Sequence, residues 1–124
     1  MSDFTPPISD FRFLIHNVIG LDTVANLPAF SEISEDLVDA ILEEAGKLAS
    51  SVLAPLNRVG DLEGAKLLDD GTVRTPTGWK EAYAQFCEGG WQGISAPESE
   101  GGMGLPILLG AAVAEMWHSS NMAF

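Results

Sequence analysis

Residues 33–54 read Ile33-Ser34-Glu35-Asp36-Leu37-Val38-Asp39-Ala40-Ile41-Leu42-Glu43-Glu44-Ala45-Gly46-Lys47-Leu48-Ala49-Ser50-Ser51-Val52-Leu53-Ala54. Apolar side chains recur at Ile33, Leu37, Ile41, Ala45, Leu48 and Val52, and Val38, Leu42, Ala49 and Leu53 widen the row. That spacing predicts a long amphipathic helix from about residue 34 to the region of residue 54. Glu32, Asp36, Asp39 and Glu43 form an acidic stripe on the other side. Each like-charge pair there costs about 0.2–0.5 kcal/mol, partly offset because Glu35 and Asp36 lie near the helix's positive end. Glu43 and Glu44 are adjacent, so they do not face each other and read as a solvated face rather than an acid–base pair. Pro55 either kinks or ends the helix.

Upstream, Phe11, Leu14, Ile15, Val18 and Ile19 predict a first helix, entered after Pro6 and Pro7, capped by Ser9 or Asp10 and stopped at Gly20. His16 falls between its apolar positions with no local carboxylate or cysteine partner and reads as a boundary residue. Residues 21–33 read as a connection. Downstream, Gly60-Asp61-Leu62-Glu63-Gly64 reads as a turn-rich link without calcium-loop spacing. Asp70-Gly71, between the short apolar runs of residues 67–73, predicts a small hairpin that leans on the helices. A third helix is predicted from about Thr77, which can cap it, to Gly89-Gly90, with Trp79, Ala82, Tyr83 and Phe86 as an aromatic face. Cys87 reads there as a small buried hydrophobe, with a thiol-based function as the weaker option. A fourth helix follows Pro106, with Leu109, Ala112, Val113, Met116 and Trp117 on one face. The glycine-rich stretch before it lacks the preceding strand and following Lys-Ser/Thr of a phosphate cradle, so it reads as a helix-entry turn. The whole pattern predicts a mainly α chain: an up-and-down helical bundle with a small β-hairpin.

The chain has 124 residues, with 6 Lys+Arg against 18 Asp+Glu, for a formal net charge of -12. This length bounds it to one domain able to bury roughly two-thirds of its unfolded surface. The charge argues against nucleic acid and anionic membrane surfaces, which require basic patches. One cysteine excludes a disulfide framework and a cysteine-rich zinc site. No basic region and apolar core follow Met1-Ser2-Asp3-Phe4, and the uncharged stretch at 101–114 is too short to span a bilayer, so the expectation is a soluble, cytoplasmic protein. Residues 119–124 show no capping logic and no polar tail, and the sequence stops on Phe124 just after an apolar helix. The expectation is a chain cut at Phe124.

Trp91-Gln92-Gly93-Ile94-Ser95-Ala96-Pro97-Glu98-Ser99-Glu100-Gly101-Gly102-Met103-Gly104-Leu105, followed by a helix containing Glu115, resembles the P-E-x-x-G-G-x-G-L … E segment of acyl-CoA dehydrogenases. Asp10-Phe11-Arg12-Phe13-Leu14, the run from Pro55 to Gly64, Thr75-Pro76-Thr77-Gly78-Trp79 and Asn121-Met122-Ala123-Phe124 are similar to the long branch that includes the 3-methylmercaptopropionyl-CoA dehydrogenases. The resemblance covers essentially the whole chain. It implies that residues 1–124 are the N-terminal helical domain of a larger fold whose middle β-domain and C-terminal helical domain are absent. It further implies an FAD enzyme that oxidises an acyl-CoA thioester to the trans-2-enoyl-CoA, passes electrons to an electron-transfer flavoprotein and assembles as a homodimer. No glutamate here matches the family's catalytic base, and Glu115 matches a position on a packing helix. The isolated chain is therefore expected to be inactive and not to hold FAD. From the resemblance, Trp117, Asn121 and Phe124 are the candidates for lining the acyl pocket, against a simple core role for Trp117. The alternative is a freestanding acidic helical module that binds a protein partner without doing chemistry.

Overall fold

The computed structural model describes residues 4–124, so the reading of Met1-Ser2-Asp3 lies outside the described residues. Six α-helices and one hairpin follow in order: α1 (Ile8–Phe13), α2 (Leu21–Ala25), α3 (Glu35–Leu48), α4 (Ala54–Glu63), β1 (Lys66–Leu67), β2 (Val73–Arg74), α5 (Trp79–Glu88) and α6 (Ile107–Ser120). Two wide, π-helical stretches, Leu14–Ile19 and Ala49–Leu53, extend α1 and join α3 to α4. The mainly helical architecture with its one small hairpin agrees with the sequence pattern.

α3 is the central element. The Leu37 N–H donates to Ser34 Oγ at 3.2 Å, closing its first turn, a cap worth about 1 kcal/mol. The row that it buries is Val38, Leu42 and Ala45, continued by Ala49 and Leu53 in the wide stretch. Leu37, expected at the centre of the stripe, is 40% exposed, and Ile41, Leu48 and Val52 are half-buried. Two adjacent apolar rows left the helix's rotation open, and a glycine contact accompanies the orientation observed. A Cβ on Gly46 would lie 2.9 Å from Ile8 Cδ1 and 3.0 Å from Pro6 Cγ, so this bare side of α3 receives the N-terminal segment. α6 covers the buried row with Leu109, Ala112, Val113 and Met116, as its spacing predicted, while α1 adds Phe11 and its wide extension adds Ile15.

Several local expectations are corrected. α1 begins at Ile8 after Pro7, with no side-chain cap from Ser9 or Asp10. Its buried face ends at Ile15, and Leu14, Val18 and Ile19 are 45%, 60% and 47% exposed. The wide turns advance each residue by a smaller rotation than an α-helix does, which carries the later positions off the core face. Residues 21–33 hold a short helix with Leu21 buried and a 3₁₀ turn at Pro28–Phe30. Pro55 does not end the long helix. The turn widens just before it, easing the clash between a proline ring and the carbonyl four residues earlier, and the helix continues to Glu63. Gly60-Asp61-Leu62-Glu63 is thus helical. Thr77 does not cap α5, whose N-cap is Gly78; its N–H and Oγ1 instead donate to Glu63 Oε2, at 2.8 and 3.1 Å. The hairpin pairs Lys66 with Arg74 and Leu67 with Val73, and all four residues are exposed, so it leans on the helices far less than expected.

The α1–α3 contact carries an ionic network that local spacing did not reveal. Arg12 Nε lies 3.0 Å from Asp39 Oδ2, Arg12 Nη2 reaches Glu43 Oε1, and His16 Nε2 is 2.9 Å from Asp39 Oδ1. The hydrogen bond from His16, followed by the bond and charge of Arg12, holds the Asp39 carboxyl below the usual carboxylate range against the opposing effect of desolvation. A carboxyl depressed in the folded state stabilises it above the unfolded pKa, and that contribution is lost as pH falls through the folded pKa. Asp39→Asn is therefore expected to lower Tm at pH 7 and to differ less from the parent protein at about pH 3. Thermal melts at the two pH values check this; a gap that widens in acid rules it out.

Candidate functional site

The residues singled out for the acyl pocket lie together at the C-terminal end of α6. Trp117 is half-buried on its last turns. The ring stands edge-on to Phe86 of α5, with centroids 4.8 Å apart, and to Trp91, at 5.5 Å. Phe86 also meets Phe124 edge-on at 5.9 Å and stacks on Tyr83 at 6.4 Å, while Phe124 tilts against Trp79 at 5.7 Å. Six aromatic rings thus form one connected cluster around Phe86, each favourable pair contributing about 0.5–1.5 kcal/mol beyond its area. The sequence placed Trp79, Phe86 and Trp117 on apolar faces. It carried no signal that Phe86 is their hub.

Asn121 joins this cluster to the central helix. It is 3% exposed, its Nδ2 donates to the Leu53 carbonyl at 3.1 Å, and its backbone N–H donates to Trp117 O at 2.8 Å. Ser120 Oγ also donates to Trp117 O, at 2.8 Å. The end of α6 is therefore capped, contrary to the reading of residues 119–124 as lacking capping logic. The signal was present in Ser120 and Asn121, but the acceptor on Leu53 is remote in sequence. Asn121 Oδ1, Trp117 Nε1 and Trp79 Nε1 are buried without a hydrogen-bond partner, an arrangement uncommon in folded proteins. The Trp79 indole lies against α4, where a Cβ on Gly60 would come within 2.6 Å of its Cζ2.

Beside the cluster, Thr75, Trp79, Lys80, Tyr83 and Phe124 line a cleft of about 220 Å³. Cys87 is half-buried rather than fully buried, and a hydrogen bond between the two side chains raises the Tyr83 hydroxyl pKa. Among the described residues no group of His, Cys, Asp and Glu could hold a metal ion, and no helix is long and apolar enough to cross a membrane.

The glycine-rich loop ahead of α6 does not fit a flavin pyrophosphate. Its amides are spent internally: Gly101 N donates to Glu98 O, Gly102 N to Pro97 O, Met103 N to Gly93 O, Gly104 N to Ala96 O and Leu105 N to Ile94 O, all at 2.9–3.0 Å. A phosphate cradle needs those donors free. The helix-entry reading agrees with this geometry.

No protein-family model matches the chain. Curated relatives do. The chain is 42% identical over 121 residues to a 3-methylmercaptopropionyl-CoA dehydrogenase of Ruegeria pomeroyi, covering 98% of the chain and 20% of that protein. It is 30% identical over 111 residues to a butyryl-CoA dehydrogenase of Syntrophomonas wolfei, covering 86% of the chain and 18% of that protein. It is 28% identical over 125 residues to a broad-specificity linear acyl-CoA dehydrogenase of Mycobacterium tuberculosis, covering 99% of the chain and 20% of that protein. The chain thus spans about 20% of the length of the curated relatives it matches, and along nearly all of its own length it is similar to a segment of these acyl-CoA dehydrogenases.

Proposed function

We propose that residues 1–124 are the N-terminal helical domain of a longer, FAD-dependent acyl-CoA dehydrogenase that oxidises an acyl-CoA thioester to the trans-2-enoyl-CoA. The observation that carries this reading is the continuous match, over 98% of the chain, to a fifth of a 3-methylmercaptopropionyl-CoA dehydrogenase. The mainly helical fold and the ordered P-E-x-x-G-G-x-G-L loop are in keeping with it. In this reading the catalytic base and the flavin contacts come from other parts of the protein. An electron-transfer flavoprotein accepts the electrons, and the enzyme works as a cytoplasmic homodimer.

This domain's contribution is one wall of the acyl site, from Trp117, Asn121 and Phe124. The aromatic cluster supplies rigid apolar surface that excludes water from a reacting thioester. Asn121, fixed by its bond to the Leu53 carbonyl, holds the end of the wall in place. The test uses the full-length enzyme. It should purify yellow and reduce a dye in the presence of acyl-CoA, whereas the 124-residue chain should be colourless and inactive. In the full-length enzyme Trp117→Ala is expected to shift the kcat/KM ratio between short and long acyl-CoA substrates by about ten-fold, the scale of a change of one or two methylenes in a pocket. A lower Tm with an unchanged ratio would return Trp117 to a purely structural role.

A further inference from the structure

Trp117 is held by two rings that belong to one stretch of chain. Phe86 lies in the last turn of α5, and Trp91 follows it across Gly89-Gly90. Both stand edge-on to the Trp117 indole, at 71° and 79° to its plane. Such contacts are directional, because the positive rim of one ring seeks the negative face of the other. Two of them therefore constrain the tilt of an indole as well as its place. No hydrogen bond shares that task, since Trp117 Nε1 is buried without a partner.

The two rings are themselves seated on α5. A Cβ on Gly89 would lie 2.6 Å from Trp91 Cδ1, so the bare glycine makes room for the Trp91 ring at the helix end. Trp91 also lines an open groove with Leu48, Val52 and Gln85, which leaves it space to shift if pushed. Phe86 stacks on Tyr83 and reaches Phe124 edge-on, at 67°. The cleft beside Phe124 is walled by Thr75, Trp79, Lys80 and Tyr83, and neither Phe86 nor Trp91 lines it.

We propose that Phe86 and Trp91 are positioning residues for acyl-chain selectivity. They set the tilt of Trp117, and Phe86 sets that of Phe124, so the end of α5 decides the shape of a wall that α6 and the residues after it present. The inference rests on the reading of Trp117 and Phe124 as part of the acyl site and adds the residues that hold them. One methylene in an apolar pocket changes selectivity by about ten-fold or more, so a wall ring freed from one of its two contacts alters the preference measurably.

The test uses the full-length enzyme and reads the ratio of kcat/KM for a short and a long acyl-CoA. Both substrates are measured on one preparation, so any loss of folded or flavin-loaded enzyme cancels in the ratio. Phe86→Leu is expected to shift it about five-fold, and Phe86→Tyr, which keeps the ring, to stay within about two-fold of the parent. Gly89→Ala acts from a position outside the wall. Gly89 has φ -73 and ψ -6, which alanine adopts freely, so the substitution displaces the Trp91 ring without straining the backbone. It is expected to shift the ratio about three-fold. In a Trp117→Ala background Gly89→Ala should change nothing further, because the ring it acts on is gone. If Phe86→Leu and Gly89→Ala lower Tm but leave the ratio at the parent value while Trp117→Ala shifts it, the proposal is overturned and the acyl wall stands. A Gly89→Ala effect that persists without Trp117 also overturns it. An unchanged ratio in Trp117→Ala itself removes the wall, and the role of Phe86 and Trp91 with it.

Discussion

Leu42→Ala is expected to lower the free energy of unfolding by about 3–4 kcal/mol. Leu42 is 0% exposed and belongs to the same core cluster as Val38, Ile15, Leu109, Val113 and Met116. Truncation removes transfer energy and leaves a cavity between helices that are each held by other contacts. Leu37→Ala provides the control. Leu37 is 40% exposed, so its truncation should cost under about 1 kcal/mol. Urea unfolding of the two variants, with slopes compared to confirm a similar transition, measures the difference. A domain of ordinary stability has about 5–15 kcal/mol in total, so the first variant should unfold at a visibly lower denaturant concentration. Equal losses at the two positions would mean that α3 is rotated from the orientation described.

The second large effect is expected at Gly102. A Cβ there would collide with the backbone carbonyl of Ala96 and lie 2.6 Å from the Ala96 Cβ. Neither is the far end of a flexible side chain. The surrounding loop is pinned by the bonds from Met103 to Gly93, Gly104 to Ala96 and Leu105 to Ile94, so relief requires breaking several of them. Gly102→Ala should therefore cost about 3 kcal/mol or more. Gly101→Ala is the informative comparison. Gly101 has φ +81 but open space around its Cα, so only the left-handed conformation is penalised, by about 1–2 kcal/mol. Thermal denaturation should rank Gly102→Ala as the more damaging. Near-ultraviolet circular dichroism should also report disturbance at Trp91, which enters this loop and packs on Trp117. The reverse ranking would rule out crowding against Ala96 as the reason for the glycine.

What could be read from the sequence divides along the range of the interactions. α6 is apolar on several sides, Ile107 among them exposed, yet the spacing of Leu109, Ala112, Val113 and Met116 marked the row that is buried. α3 has two adjacent rows, and periodicity alone could not choose between them. The choice is made by what packs on it, including the N-terminal segment against Gly46. Asp70-Gly71 marked the hairpin turn, because the signal and the structure are both local. Pro55 left open whether the helix kinks or ends, because proline opposes a regular turn. It did not reveal that one wide turn would let the helix continue. At the candidate site, resemblance drew attention to Asn121 and nothing local could have assigned its partner, since Leu53 lies 68 residues away. His16 and Asp39 meet across 23 residues for the same reason.

The pairing of α3 with α6 also has a consequence for how the chain acquires its structure. The two helices that share the core are separated by α4, the hairpin, α5 and the glycine-rich loop. Closing a connection that long carries a loop-entropy cost that rises only as the logarithm of its length, yet it must be met before the contacts reward it. α1 and α3 are close in the chain and can meet early. During synthesis Leu42 and its neighbours stay without their α6 partners until residues 107–120 emerge. Val38, Leu42, Ala45 and Ala49 therefore form the surface most in need of protection in the nascent chain.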